Sequence, residues 1–264
     1  MVEDLHPGRL SVDLCADIGE GFGPYVIADD EKLMDVISSA NVACGFHAGD
    51  PSIMAVTVEM AVRKGVSIGA HPGYRDLVGF GRRRIDMSAH GISTDLLYQL
   101  GALSAFLRRH DLAIQHITPH GSLGNAATED VECARAVIEA VDAFDPDLTI
   151  VTGSGELSTI ARQGGFRVAM MFLADRSYAE NLHPVSRDSP GSVLTDGAAI
   201  AARVVRAVKQ GLVETVTGRD VPVDVDTVLI HSDTPGAAQI AEQIRAALEQ
   251  AGVAIEPMAA VLRR

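Results

Sequence analysis

Seven short apolar runs recur along the chain, and helical patterns follow most of them before the next run begins. The runs are SVDLC (11–15), NVACG (41–45), VSIGAH (66–71), IQHIT (114–118), LTIVT (148–152), RVAMMF (167–172) and TVLIH (227–231). A strand apolar along its whole length is buried on both faces, as in a parallel sheet covered by helices. DDEKLMDVISSA (29–40) has an acidic first turn, and PSIMAVTVEMAVRKG (51–65) opens with Pro and closes with Lys-Gly, both helix signals. Further helices are expected near 92–110, 128–143, 155–164, 196–211 and 235–251. Repeated strand–helix units with no internal linker predict an α/β fold, a single-domain seven-stranded parallel (β/α) barrel over 1–264. A doubly wound open sheet is the rival.

Composition bounds the function. Apolar residues reach 47%, while aromatics are 4% with no Trp, so Ala, Val, Ile and Leu must fill the core. A net charge of −13 speaks against a nucleic-acid or anionic-membrane partner. No run approaches the ~18 apolar residues of a membrane span. The N-terminus MVEDLHPGRL lacks a basic region followed by an apolar run, so no secretory signal is expected. Cys15, Cys44 and Cys133 are odd in number and widely spaced, which points to a reduced, cytoplasmic protein.

In either architecture, sites form beyond the C-terminal ends of the strands. The polar, glycine-rich segments collect there: DLCADIGEGFG (13–23), CGFHAGDP (44–51), AHPGYRDLVGFGRRR (70–84), TPHGSLGN (118–125), LADRSY (173–178) and HSDTP (231–235). Each piece has a plain structural reading. Asp17 and Glu20 suit turns and caps, Asp50 before Pro51 suits a helix N-cap, and Asp175-Arg176 could be a surface ion pair. Cys15 and Cys44 lie in apolar runs, where packing is commoner than reactivity. His47, His71, His120 and His231 fall at corresponding strand ends, however, and four such histidines point to proton transfer or metal binding. Arg82 and its neighbours in GFGRRR offer planar cations for carboxylate or phosphate. No GxxxxGK[ST], HExxH or paired-cysteine spacing is present, and VTGSGELS (151–158) is at most a weak anion loop. A divalent metal is compatible with the Asp and His residues but no spacing demands one.

DLCADIGEGFG, SSANVACGFHAGDP, IGAHPGYRDLVGFGRR, TPHGSLGN, ADRSY and HSDTP, in this order, closely resemble the LamB/YcsF family. Its members are the A subunits of prokaryotic 5-oxoprolinase. The resemblance runs from about residue 11 to about 257. It implies a barrel of the glycoside hydrolase/deacetylase-like kind, related to polysaccharide deacetylases. It also implies a hydrolase that opens 5-oxo-L-proline to L-glutamate with ATP as co-substrate, working with separate B and C subunits. A homo-oligomer is compatible with it.

By position, Asp13, Asp17, Glu20, Asn41, His47, Asp50, His71, Arg82, His120, Asn125, Asp175, Arg176, His231 and Asp233 match the family's pattern. The resemblance implies proton transfer by His47, His71 and His120, with Asp17 or Glu20 placing water. Arg82 and Arg176 would hold the substrate carboxylate or a phosphate, with Asn41, Asn125, Asp175, His231 and Asp233 completing the binding site. Any metal would fall to Asp13, Asp17, His47 and His71.

The departures are specific. Thr118, Ser122 and Gly124 stand where the family pattern resembles KPHGALYN, so a lysine and a tyrosine are missing. Met171 stands where a glutamate is expected, Leu173 where a Phe is expected, and Cys15 where Asn is expected; HSD replaces HGD at 231–233. Three readings follow: an active 5-oxoprolinase A subunit, a divergent paralogue acting on another small lactam or amide, or a non-catalytic member that binds a ligand or partner.

Overall fold

A computed structural model describes residues 10–263. Residues 1–9, on which the reading of the N-terminus rests, lie outside the described residues. Strand β1 (Ser11–Ile18) is buried at every position, and it runs three residues further than the apolar run alone predicts. The extension carries Asp17 on the strand itself. It is followed in the sheet by β2 (Ser39–Ala43), β3 (Ser67–His71), β4 (His116–Ile117), β5 (Thr149–Thr152) and β6 (Val168–Leu173). The hairpin β7 (Leu212–Glu214) and β8 (Asp220–Pro222) stands apart from this sheet. Strand β9 (Thr227–Ile230) then pairs with both β6 and β1, closing a barrel of seven parallel strands. The expected barrel is therefore present and the open-sheet rival is excluded.

Helices pack around the barrel. They are α1 (Asp30–Met34), α2 (Pro51–Lys64), α3 (Ala89–Leu107), α4 (Gly121–Glu129), α5 (Val131–Phe144), α6 (Glu156–Gln163), α7 (Gly197–Gln210) and α8 (Ala237–Gln250). Helix α2 shows why these boundaries fall where they do. The Asp50 carboxylate accepts from the amides of Ser52 and Ile53, Pro51 fills the first turn, and Gly65 ends the helix at φ 67, where a side chain would be strained. Asp50 is thus the cap its plain reading predicted.

Three expectations are corrected. The helix read over 29–40 is only the short α1, because Ser39 and Ala40 are drawn into β2. The helix read over 128–143 is two helices, since Asp130 adopts an extended conformation and caps α5 through the Cys133 amide. The segment GSLGN, read as loop, is the first part of α4, with His120 as its N-cap residue. A final strand β10 (Ala254–Ile255) adds to Ser11 and Val12, and helix α9 (Met258–Val261) follows it; neither was anticipated.

Side-chain alternation along β1 divides two environments. Val12, Leu14, Ala16 and Ile18 join the apolar core beneath the helices. Asp13 and Asp17 point the other way, into the lumen, where polar side chains bond one another. At the bottom, the Asp13 carboxylate accepts from the hydroxyls of Ser38, Ser39 and Thr227 at 2.6–2.8 Å. Higher up, Asn41 donates to Asp17 at 2.9 Å, while its carbonyl oxygen takes Thr118 Oγ1 at 3.0 Å and lies 2.8 Å from His116 Nε2. His116 fits only because position 69 is Gly: a Cβ there would sit 2.1 Å from the ring.

Candidate active site

Above this lumen, the strand ends converge on four buried groups: Glu20, His47, His71 and His120. His47 and His120 stack with ring centroids 3.8 Å apart and planes 5° from parallel. His71 meets both rings edge-on. Glu20 lies 3.1 Å from His47 Nε2 and accepts from Ser232 Oγ at 2.9 Å. Glycines make this packing feasible, since a Cβ at Gly81 would meet His47 at 2.6 Å and His120 at 2.7 Å.

The tautomers follow from the partners. His120 Nε2 is 2.8 Å from the Phe80 carbonyl, and His71 Nδ1 is 2.6 Å from the Thr118 carbonyl. A carbonyl only accepts, so each of those nitrogens carries hydrogen. The remaining nitrogens, His71 Nε2 and His120 Nδ1, face each other at 2.9 Å. In two neutral rings both would be bare lone pairs. The contact is satisfied when one proton lies between them or when a cation takes both. Asp17 at 3.3 Å from His71 Nε2 and Glu20 at 3.5 Å from His120 Nδ1 favour either form.

Electrostatics separate the members. Burial pushes the His120 pKa far down, aided by His47 and His71 beside it. Burial also lowers His47, against the opposing pull of Glu20. Burial raises Asp17, offset in part by His71. Burial opposes ionisation of Glu20 too, but its hydrogen bond and charge interaction with His47 bring its pKa below the usual value. The two neighbouring carboxyls are thus shifted in opposite directions, the divergence that acid–base sites use.

Glu20, His47, His71 and His120 each offer a ligand atom, all within 4.8 Å of one another. Three imidazoles and a carboxylate suit a divalent transition metal, and the facing lone pairs fit that use. The set differs from the one expected for a metal. Asp13 is on the same face as Asp17 but four residues deeper, about 13 Å along the strand. Its oxygens are taken by three hydroxyls, so its role is structural.

A cavity of about 650 Å³ opens onto the cluster, within the range of small-molecule sites. Asp17, His71, His120 and His231 line it, whereas Glu20 and His47 do not. Of the five residues expected to be catalytic, three reach the cavity and two stand behind them. Asn41 supports Asp17 from below rather than lining the cavity. Asn125 stands exposed on α4 at the cavity wall.

On the opposite wall His231 Nδ1 is 2.8 Å from Asp175, whose other oxygen accepts from Thr234. Burial works against the His231 imidazolium, but Asp175 more than offsets it and holds the pKa above the ordinary value. The expected arginines are already engaged. Both terminal nitrogens of Arg82 donate to Asp233, at 2.8 and 2.9 Å. Arg176 donates to the backbone carbonyls of Ser192 and Val185. Arg187, which no motif singled out, lines the cavity from the segment following β6. Cys15 and Cys44 are buried with their thiol pKa values pushed up by burial, Cys44 to about 12, and are packing residues.

Comparison with known proteins places this arrangement. The sequence model of the LamB/YcsF family matches residues 12–263. A protein of Syntrophobacter fumaroxidans, named as the A subunit of 5-oxoprolinase, is 45% identical over 252 residues, covering 95% of this chain and 100% of its own. One of the same name from Pyrococcus horikoshii is 45% identical over 255 residues, covering 96% and 100%. The crystal structure of a lactam utilization protein from Thermus thermophilus superimposes with a TM-score of 0.89 at 43% identity, covering 94% of this chain and 100% of that one.

Proposed function

This chain belongs to the LamB/YcsF family, and from that premise we propose that it is the A subunit of an ATP-dependent 5-oxoprolinase. Together with B and C subunits it would hydrolyse 5-oxo-L-proline to L-glutamate, with ATP as co-substrate of the assembly. The observation that carries the reading is the facing His71–His120 nitrogen pair beside Asp17 at the floor of the cavity.

A lactam carbonyl is a poor electrophile. Transfer of the γ-phosphoryl group of ATP to the lactam oxygen releases ADP and leaves a carbon that water can attack. The His71–His120 pair accepts the proton of that water as it adds, and Asp17 orients the pair. The ring C–N bond then breaks as the nitrogen takes a proton. His231 on the opposite wall, its pKa raised by Asp175, is placed to give it. The acyl phosphate so formed is hydrolysed by a second water to the carboxylate and inorganic phosphate. Glu20 and His47 act from behind, holding His120 in its stacked position. A divalent cation held by Glu20, His47, His71 and His120 would take the place of the proton shared by the His71–His120 pair, and would then supply the activated water by lowering the pKa of a water bound to it.

One observation favours a second reading, in which the lactam or amide differs. Thr118 and Met171 both line the cavity, where the family pattern leads one to expect a lysine and a glutamate. Thr118 turns its hydroxyl inward to Asn41, so neither position offers a charge. A purely binding role is disfavoured, because a ligand-binding wall has no need of a buried Glu-His-His-His cluster with unmatched nitrogens.

Reconstitution with the B and C subunits tests the proposal. It predicts ADP and glutamate formation dependent on 5-oxoproline and on this chain. Activity on another lactam alone would move the assignment to the second reading, and none on any lactam would refute both.

A further inference from the structure

The segment between β6 and α7 folds back over the barrel mouth and brings a third guanidinium to the cavity beside Arg82 and Arg176. How it is held decides which of the three can meet a ligand. Arg176 is 6% exposed and bonds two carbonyls of this same segment, Ser192 O at 3.1 Å and Val185 O. Further backbone bonds tie Val185 to Ser177 and Ser177 to Ser192, and Ser192 Oγ donates to the Arg187 carbonyl. Arg176 therefore acts as a strut for the loop. Arg82 is locked fork to fork with Asp233.

Arg187 is different. Among the described residues its Nη2 is a buried nitrogen with no hydrogen-bond partner, and Asp233 is 3.8 Å away, beyond hydrogen-bond reach. The two carboxylates whose charge acts on this guanidinium most strongly are Asp233 and Asp175. Asp233 is paired with Arg82, and Asp175 is bonded to His231 and Thr234. A buried donor on a permanent cation is costly when unmatched. An anion in the cavity would satisfy it, and a planar fork matches a carboxylate.

We infer that Arg187 is the group that binds the carboxylate of the substrate, and that Arg176 is the positioning residue that holds Arg187 over the cavity. The inference rests on the reading of the substrate as a small cyclic amide acid. It divides that substrate between two walls, with the carboxylate at Arg187 and the ring amide toward His71 and His120. Specificity for an acid over the corresponding neutral lactam would then come from one residue in a loop.

Calorimetric titration of the whole 264-residue chain tests this, with 5-oxoproline, the neutral lactam 2-pyrrolidinone, L-glutamate and inorganic phosphate as probes. Wild type should bind 5-oxoproline at least tenfold more tightly than 2-pyrrolidinone. Arg187→Gln should abolish that preference and leave 2-pyrrolidinone affinity unchanged without lowering the melting temperature, whereas Arg187→Lys should retain part of it. Arg176→Lys should weaken the preference together with protection of residues 181–192 from hydrogen exchange. A preference that survives in Arg187→Gln overturns the inference, as does wild type that binds none of the anions. If wild type binds glutamate but neither lactam, the lactam reading fails. Arg187 is then judged on the anion alone: its loss in Arg187→Gln supports the assignment and its retention overturns it. Binding of phosphate but neither carboxylate would also overturn the assignment of Arg187 to a carboxylate.

Discussion

His71 Nε2 and His120 Nδ1 approach to 2.9 Å while the other nitrogen of each ring is engaged by a backbone carbonyl. The two carbonyls fix the tautomers, so the pair can take up one proton where the cavity floor lies. Replacing His120 with Ala should lower turnover by about 10²–10⁴-fold, the range for losing a general acid–base group. Substrate affinity should fall far less than turnover, because the substrate carboxylate is held on the other wall, at Arg187. Steady-state kinetics with a parallel binding titration would separate the two, and an unchanged rate would remove His120 from the mechanism.

Asp175 holds the His231 pKa above its ordinary value. A histidine raised in this way contributes stability that is fully present below the unfolded pKa of about 6.5 and is lost as pH rises through the higher folded value. If the imidazolium is the acid, kcat/KM should fall along an alkaline limb at that folded value. Asp175→Asn should move the limb to lower pH. A limb that stays in place would assign it to another group.

Asp13 should behave as a structural residue. Asp13→Ala leaves the hydroxyls of Ser38, Ser39 and Thr227 without their shared acceptor. A cost of about 1–3 kcal/mol is expected for such buried, unmatched groups. The melting temperature should drop by several degrees, and kcat of the protein that remains folded should be unchanged. A selective loss of kcat would return Asp13 to the active site.

His116 is neutral in the lumen, its pKa lowered to about 3 chiefly by burial. The unfolded chain takes up a proton near pH 6.5 that the folded chain refuses, so stability should fall as pH drops from about 6.5 toward 3, by about 1.4 kcal/mol per unit within that window. His116→Gln should flatten that part of the denaturation profile. Gly69→Ala, which drives a Cβ into the ring, should destabilise by about 1–3 kcal/mol. Equal acid sensitivity of wild type and His116→Gln would refute the account.

The barrel was legible because its signal is local and repeated: each apolar run overlaps a strand, and the polar segments fall at the strand ends, although GSLGN there opens helix α4 rather than a loop. The Glu20, His47, His71 and His120 cluster was legible by position, since strand ends converge at one mouth. What could not be read was depth and long-range pairing. Asp13 and Asp17 are both acids in one motif, and only their distance along β1 separates a bond deep in the lumen from a place on the cavity wall. His116 gave no signal because its place depends on a missing side chain at Gly69 in another strand. Arg187 is an isolated residue in an aperiodic segment, and its significance arises from Arg82 and Arg176 being occupied by partners of their own. Arg176, by contrast, carried the motif signal and proved to be a loop strut.

The central claim is that His71 and His120 act as one proton-accepting unit in lactam hydrolysis. Single-turnover glutamate formation in the reconstituted assembly tests it most directly, comparing wild type, His71→Gln, His120→Gln and the double variant. Residues acting as a unit give non-additive losses, so the double variant should be no slower than the slower single variant. Independent, multiplying losses, or a single variant with the wild-type rate, would contradict it.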